Sequence, residues 1–175
     1  PYGQRLSREI PPQPQLNYST ARDEADLVGK NVMLQADGVQ FEMVGKGFIH
    51  RVRFPMPGDY SAHNALAAAG AALLLGIAPE TVAQALCQSA GVRGRCEVLY
   101  SGKFTIICDY AHTGDGIEKV LSGLRPFVRG KLVVLFGCAG ERDARKREPM
   151  AKAALRYGDE IVLTSDNPRG EDPYS

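Results

Sequence analysis

Ile161-Val162-Leu163-Thr164-Ser165-Asp166-Asn167-Pro168-Arg169 sets a short apolar, β-branched run directly against a compact polar turn. A run of that length, bounded by Asp, Asn and Pro, predicts a strand over 161–164. In an open α/β sheet ligands bind outside the carboxyl ends of the strands, so the turn that follows falls where recognition takes place. Pro168 fixes its own φ and drives Asn167 out of the helical region. Arg169 presents a planar fork matched to a carboxylate. The turn has the chemistry to hold an amino acid or another small acid.

The same unit recurs upstream. Helical spacing predicts helices over 146–157 and 116–128, the latter with Leu121 and Leu124 inward, and apolar runs predict strands over 131–136 and 104–108. Strand and helix in alternation mark an α/β fold with a parallel, doubly wound sheet. Each strand then delivers a polar loop to one sheet edge: Asp109-Tyr110-Ala111-His112-Thr113, residues 137–143, and the turn 166–169. Before Gly91 the pattern is different. Strands are expected over 32–36, 40–44 and 49–54, with Asp37-Gly38 as a hairpin signal, followed by helices over 62–75 and 79–89. Pro11, Pro12 and Pro14 predict an extended or disordered segment over 1–16.

Composition narrows the function. Charged residues make up 23% of the 175 and the formal net charge is +1, so no nucleic-acid or membrane-surface partner is indicated. Four cysteines without Cys-x-x-Cys spacing read as reduced thiols of a cytoplasmic protein, not as a zinc site or a disulfide frame. The first fifteen residues lack the pattern of a secretory signal, and the longest apolar run, 65–75, is too short to span a bilayer.

Each candidate residue also has a plainer reading. Asp109 could cap the following helix, His112 could be an ordinary surface histidine, and Asn64 could simply begin a helix. Arg95 and Glu97 could be exposed charges on an edge strand. Arg142, Arg145, Lys146 and Arg147 could be a solvated helix start, although cations there oppose the helix dipole and are better explained by an anionic ligand.

The order of the motifs is more specific than any one of them. Gly94-Arg95-Cys96-Glu97, the Asp109 loop, Phe136-Gly137-Cys138-Ala139-Gly140-Glu141-Arg142-Asp143 and Asp166-Asn167-Pro168-Arg169 together resemble the Mur ligase family, in the branch that adds diaminopimelate. Residues 57–68, beginning Pro57-Gly58-Asp59-Tyr60, are similar to the segment that closes that family's central ATPase domain. The resemblance implies that 17–92 is the C-terminal part of a central ATP-binding domain. It makes 93–175 the first half of a Rossmann-like, amino-acid-binding ligase domain. It also implies ATP and Mg²⁺ as cofactors, and a UDP-N-acetylmuramoyl dipeptide and meso-diaminopimelate as substrates. The reaction implied is amide formation through an acyl phosphate. By the same resemblance Asn64 meets the adenine, Arg95 the ATP phosphates and Asp109 the ribose, with His112 beside the nucleotide. Arg142, Asp166, Asn167 and Arg169 form the diamino-acid pocket.

Departures are visible as well. The chain has no Gly-x-x-Gly-Lys-Thr phosphate loop and none of the metal-bridging segment, so it reads as part of a larger enzyme and is not expected to catalyse alone. Gly114, Gly116 and Glu148 replace a proline, an alanine and a proline, changes expected to loosen two loops. A lysine-adding or folylpolyglutamate-type ligase, and a binding module without turnover, are the alternatives.

Overall fold

Alternating apolar residues from Leu27 onward build a four-stranded sheet in the computed structural model, which describes Glu9 and residues 14–173. Most of the expected extended segment 1–16 lies outside the described residues. The strands are β1 (Tyr18–Ser19), β2 (Leu27–Gln35), β3 (Gly38–Gly45) and β4 (Phe48–Phe54). They stand in that order, with β1 parallel to β2 and the rest antiparallel. Leu27, Val39, Phe41, Met43 and Val52 are buried on one face, where Ala62, Ala65, Leu66 and Ala69 of α1 (Asp59–Leu74) complete the core. A second helix, α2 (Pro79–Cys87), starts at its proline, as expected of a residue without a donor N–H.

Two details differ from the sequence reading. The first hairpin turns on Ala36-Asp37, and Gly38 is already in β3, paired with Gln35. A Cβ on Gly38 would lie 2.4 Å from the Phe54 carbonyl oxygen, so this glycine serves a close approach of strands, not the turn itself. β2 also begins five residues earlier than expected. Gly29 and Asn31 look like breakers, but they are accommodated by an irregular register between Lys30 and Met33, where Asn31 takes a φ of 52°.

The chain divides into two compact units, one reaching Pro55 and including Asp59–Ala90, the other Met56–Gly58 with Gly91–Ser175. In the second unit β5 (Glu97–Ser101) and β6 (Thr105–Cys108) form an antiparallel hairpin. Then follow α3 (Gly114–Leu124), a 3₁₀ turn at Arg125–Phe127, β7 (Val133–Phe136), a second 3₁₀ turn at Ala144–Lys146, α4 (Arg147–Tyr157) and β8 (Glu160–Leu163). β7 and β8 are parallel and in register, Val133 opposite Glu160 through Phe136 opposite Leu163. Ile117 and Leu121 of α3, Val134 of β7, and Met150, Ala153 and Ala154 of α4 make one buried cluster.

The expected run of three parallel strands is only partly formed. Among the described residues β6 pairs with β5 and not with β7, so the parallel part of the α/β unit is the β7–β8 pair. The β5–β6 hairpin itself forms readily, because Gly102 and its neighbours close it across a few residues at little cost in chain entropy.

Candidate ligand-binding site

Pairing between β7 and β8 does not stop at their ends. The Thr164 N–H donates to the Phe136 carbonyl at 3.1 Å, Ala139 bridges Asp166 in parallel fashion, and the Gly140 N–H donates to the Asn167 carbonyl at 3.2 Å. The 137–143 loop and the 166–169 turn are thus zipped into one body. Two glycines permit the approach. A Cβ on Gly137 would lie 2.5 Å from the Thr164 carbonyl oxygen, and one on buried Gly140 would lie 1.9 Å from that of Pro168.

The zipped loops hold strained backbone. Glu141, Asn167 and Arg169 take φ values of 54°, 44° and 54°. A left-handed non-glycine residue costs roughly 1–2 kcal/mol, and such strain persists where surrounding contacts over-determine it, typically in a binding site.

Beside these loops lies a cavity of 830 Å³, walled by β6, α3, β7 and the loops that follow β6, β7 and β8. Asp109, His112, Arg142, Lys146, Asp166 and Arg169 line it. The basic cluster at the start of α4 resolves into two kinds of cation. Arg145 pairs with Asp143 at 2.9 Å, and Arg147 pairs with Glu171 at 2.5 Å. Arg142, Lys146 and Arg169 make no ion pair with a carboxylate among the described residues, and Lys146 acts on the Asp143 carboxylate only by its charge. The Arg145 side chain, and after it the Arg145 backbone N–H, hold the Asp143 carboxyl below the usual carboxylate range. Three unpaired cations, with the Asp166 carboxylate among them, complement a ligand that carries several negative groups and an amino group.

The loop after β6 is organised by Asp109, though not as a helix cap. Thr113 caps α3, its hydroxyl accepting from the Gly116 N–H at 3.1 Å. Asp109 instead accepts from the Cys96 N–H at 2.8 Å and from the Ala111 N–H at 2.7 Å, one on each oxygen. It thereby ties the Arg95 turn, where Cys96 has a φ of 44°, to the His112 loop. The Arg95 guanidinium lies 4.7 Å from the Tyr110 ring centroid, and His112 meets the same ring edge-on at 5.2 Å while its Nδ1 is 3.0 Å from the Tyr110 carbonyl oxygen.

Of the residues singled out from sequence, Asp109, His112, Arg142, Asp166 and Arg169 come together around the cavity, and Asn167 shapes the turn between two of them. Arg95 is exposed, stacked on Tyr110 and not in the cavity wall. Asn64 is exposed on α1, in the other unit. Lys146 and Tyr110 were missed as individuals. Lys146 was legible only as one of a basic cluster, and Tyr110 as a neighbour of His112. No cluster of three or more His, Cys, Asp or Glu able to hold a metal ion occurs among the described residues. Among the same residues no helix is long and apolar enough to cross a membrane.

Strand, zipped loops and cationic pocket define an α/β ligand-binding unit, and residues 94–175 match the family described as Mur ligase, glutamate ligase domain. Residues 94–175 thus carry a Mur ligase C-terminal domain. It is 37% identical over 175 residues to UDP-N-acetylmuramoyl-L-alanyl-D-glutamate–2,6-diaminopimelate ligase 1 of Clostridium acetobutylicum, covering 98% of this chain and 36% of that protein. A ligase of the same description from Bacillus velezensis is 40% identical over 161 residues, covering 91% and 33%. A solved structure of UDP-N-acetylmuramoyl-L-alanyl-D-glutamate–2,6-diaminopimelate ligase superposes with a TM-score of 0.63 at 33% identity, over 98% of this chain and 35% of that one. The UDP-N-acetylmuramoylalanyl-D-glutamyl-2,6-diaminopimelate–D-alanyl-D-alanyl ligase of Acinetobacter baumannii, at 21% identity over 87% of this chain and 34% of that one, reaches a TM-score of 0.73 and shares the fold. The chain therefore spans about a third of the length of these relatives.

Proposed function

We propose that this chain is the amino-acid-recognising part of an ATP-dependent ligase that joins meso-diaminopimelate to a UDP-N-acetylmuramoyl dipeptide in peptidoglycan synthesis. One observation carries the reading: two zipped loops hold Arg169 and Arg142 unpaired on a cavity that Asp166 also lines. meso-Diaminopimelate has two carboxylates and two amino groups. Arg169 takes the distal carboxylate as a two-pronged, charge-assisted partner, Arg142 faces the other, and Asp166 and the backbone around Asn167 orient an ammonium group. Lysine has no second carboxylate, so it would leave the Arg169 guanidinium unsatisfied. That is the kind of mismatch that discriminates strongly.

ATP, when bound, supplies the phosphoryl group that activates the accepting carboxylate. Residues of this chain then have electrostatic and positioning roles. His112 and Asp109 lie on the cavity wall, and each Asp109 oxygen retains a lone pair beyond its backbone bond for a ribose hydroxyl. Asn64 is the candidate for adenine. Arg95 would have to leave Tyr110 to neutralise phosphate charge. A cytoplasmic location suits a consumer of ATP and a UDP-sugar, and fits four free cysteines.

The test is phosphate release by the full-length enzyme with meso-diaminopimelate or lysine as acceptor, in wild type and Arg169→Ala. Hydrogen bonds to a charged group are worth about 1.5–3 kcal/mol. The substitution should therefore raise the KM for meso-diaminopimelate roughly 10- to 100-fold and leave the KM for ATP nearly unchanged. An equal loss for both substrates would remove the role assigned to Arg169.

A further inference from the structure

Arg169 does not hold its own position. It sits inside a turn that the Ala139–Asp166 and Gly140–Asn167 pairings hold on one side and Glu171 holds on the other. The Glu171 N–H donates to the Pro168 carbonyl at 3.0 Å and closes the turn over Arg169. Its Oε1 accepts from the Glu141 N–H at 2.7 Å, across in the 137–143 loop, and its Oε2 accepts from Arg147 Nη2 at 2.5 Å, at the first residue of α4. Glu141 answers in the opposite direction, its own Oε1 accepting from the Gly170 N–H at 3.3 Å. The two glutamates thus cross-link the two loops reciprocally, and Arg147 fastens the link to the helix. Arg147 lines the cavity on one side, whereas Glu171 lies outside it, in the wall of a neighbouring hollow of 390 Å³.

We infer that Glu171, held by Arg147 and the Glu141 backbone, is a positioning and specificity-determining residue that aims Arg169 into the amino-acid pocket without touching the substrate. This rests on the proposed role of that pocket. Arg169 and Asn167 both occupy the left-handed region, where a non-glycine residue stays only if its surroundings insist. Without the clasp the turn relaxes toward ordinary backbone, and the guanidinium swings off the carboxylate it must meet. Binding suffers at the amino-acid end of the reaction alone, because no bond of the clasp reaches the residues assigned to the nucleotide.

The full-length enzyme provides the test, with meso-diaminopimelate, lysine and ATP varied separately for Glu171→Ala, Glu171→Gln, Arg147→Ala and Arg169→Ala. Glu171→Ala should raise the KM for meso-diaminopimelate roughly tenfold or more, lower its preference over lysine by a similar factor, and leave the KM for ATP within about twofold. Glu171→Gln, which keeps an oxygen for the Glu141 N–H, should fall between wild type and alanine. Arg147→Ala combined with Glu171→Ala should cost little more than either alone, because both open one clasp. A KM for meso-diaminopimelate unmoved by Glu171→Ala overturns the inference. So does a rise in both KM values together with a matching drop in thermal midpoint, since that is plain unfolding. If Arg169→Ala weakens use of meso-diaminopimelate and Glu171→Ala does not, the clasp alone falls; if neither does, the reading of the pocket beneath it falls too.

Discussion

A methyl group at Gly140 would collide with the Pro168 carbonyl oxygen at 1.9 Å and its carbonyl carbon at 2.7 Å, both of them backbone atoms that cannot rotate away. Overpacking of this kind typically costs 1–3 kcal/mol, with about 3 kcal/mol expected where only backbone can yield. Gly140→Ala should therefore lower the urea midpoint of the Gly91–Ser175 unit and break the bond to Asn167, so that the 166–169 turn loses its protection from amide exchange. Unchanged exchange at the turn would show that the zipper does not depend on this contact. At this scale part of the site was open to reading from sequence. Asp166, Asn167, Pro168 and Arg169 carry their turn chemistry within four adjacent residues, where Pro and Asn preferences act directly. Glu171 and Glu141 gave no such signal. Their bonds across the loops join residues 24 to 30 apart in the chain, and nothing local distinguishes a surface glutamate from one that closes a loop.

α3 starts at Thr113, whose hydroxyl accepts from Gly116, and its first residue, Gly114, lies so close to Pro149 of α4 that a Cβ would sit 2.7 Å from the Pro149 Cβ. The glycine that was expected to loosen this loop instead makes room for a proline on the facing helix, and Glu148 beside it pairs with Lys152 at 2.7 Å. Removing the cap with Thr113→Ala should cost about 1 kcal/mol, while Thr113→Ser should recover most of it. Equilibrium unfolding in urea distinguishes the two, and an alanine variant as stable as wild type would mean that the hydroxyl bond is matched by water. Elements were the most legible level because apolar periodicity repeats over several residues. Of the two leucines expected inward on α3, Leu121 is buried and Leu124 half-buried, while Ile117, one turn before Leu121, completes the buried stripe. Strand partners were less legible. A four-residue strand such as β6 has the same pattern whether it pairs with β5, with β7 or with both, so its partners are set by contacts distant in the chain.

Charge spreads the dependence on pH over the whole Gly91–Ser175 unit. Four of its carboxylates are held below their ordinary values. Asp143 owes this first to the Arg145 side chain, Glu148 to Lys152, Asp159 to Arg125, and Glu171 to the Glu141 backbone N–H with Arg147 next. A carboxylate with a depressed pKa in the folded state adds stability in full above its unfolded value, here 3.8 for aspartate and 4.5 for glutamate, and loses it as pH falls through the lower folded value. Lys131 works the other way. Its bond to Glu160 raises it above 10.5, so its contribution is complete below that value and disappears as pH rises through the folded one. The unit should therefore be steadiest between these limits. The methyl resonance of buried Met150 reports its unfolding in urea, and the midpoint should drop once pH is taken from 7 to below about 4. These ion pairs are exposed, so each contributes little and is screened by salt. In 1 M salt the acid-induced drop should shrink, least for the part that comes from the Glu141 N–H to Glu171, a direct hydrogen bond that screening weakens less than an attraction between separated charges. A midpoint that rises on acidification, or an acid drop that salt leaves wholly intact, would show that these carboxylates do not govern how the unit responds to pH.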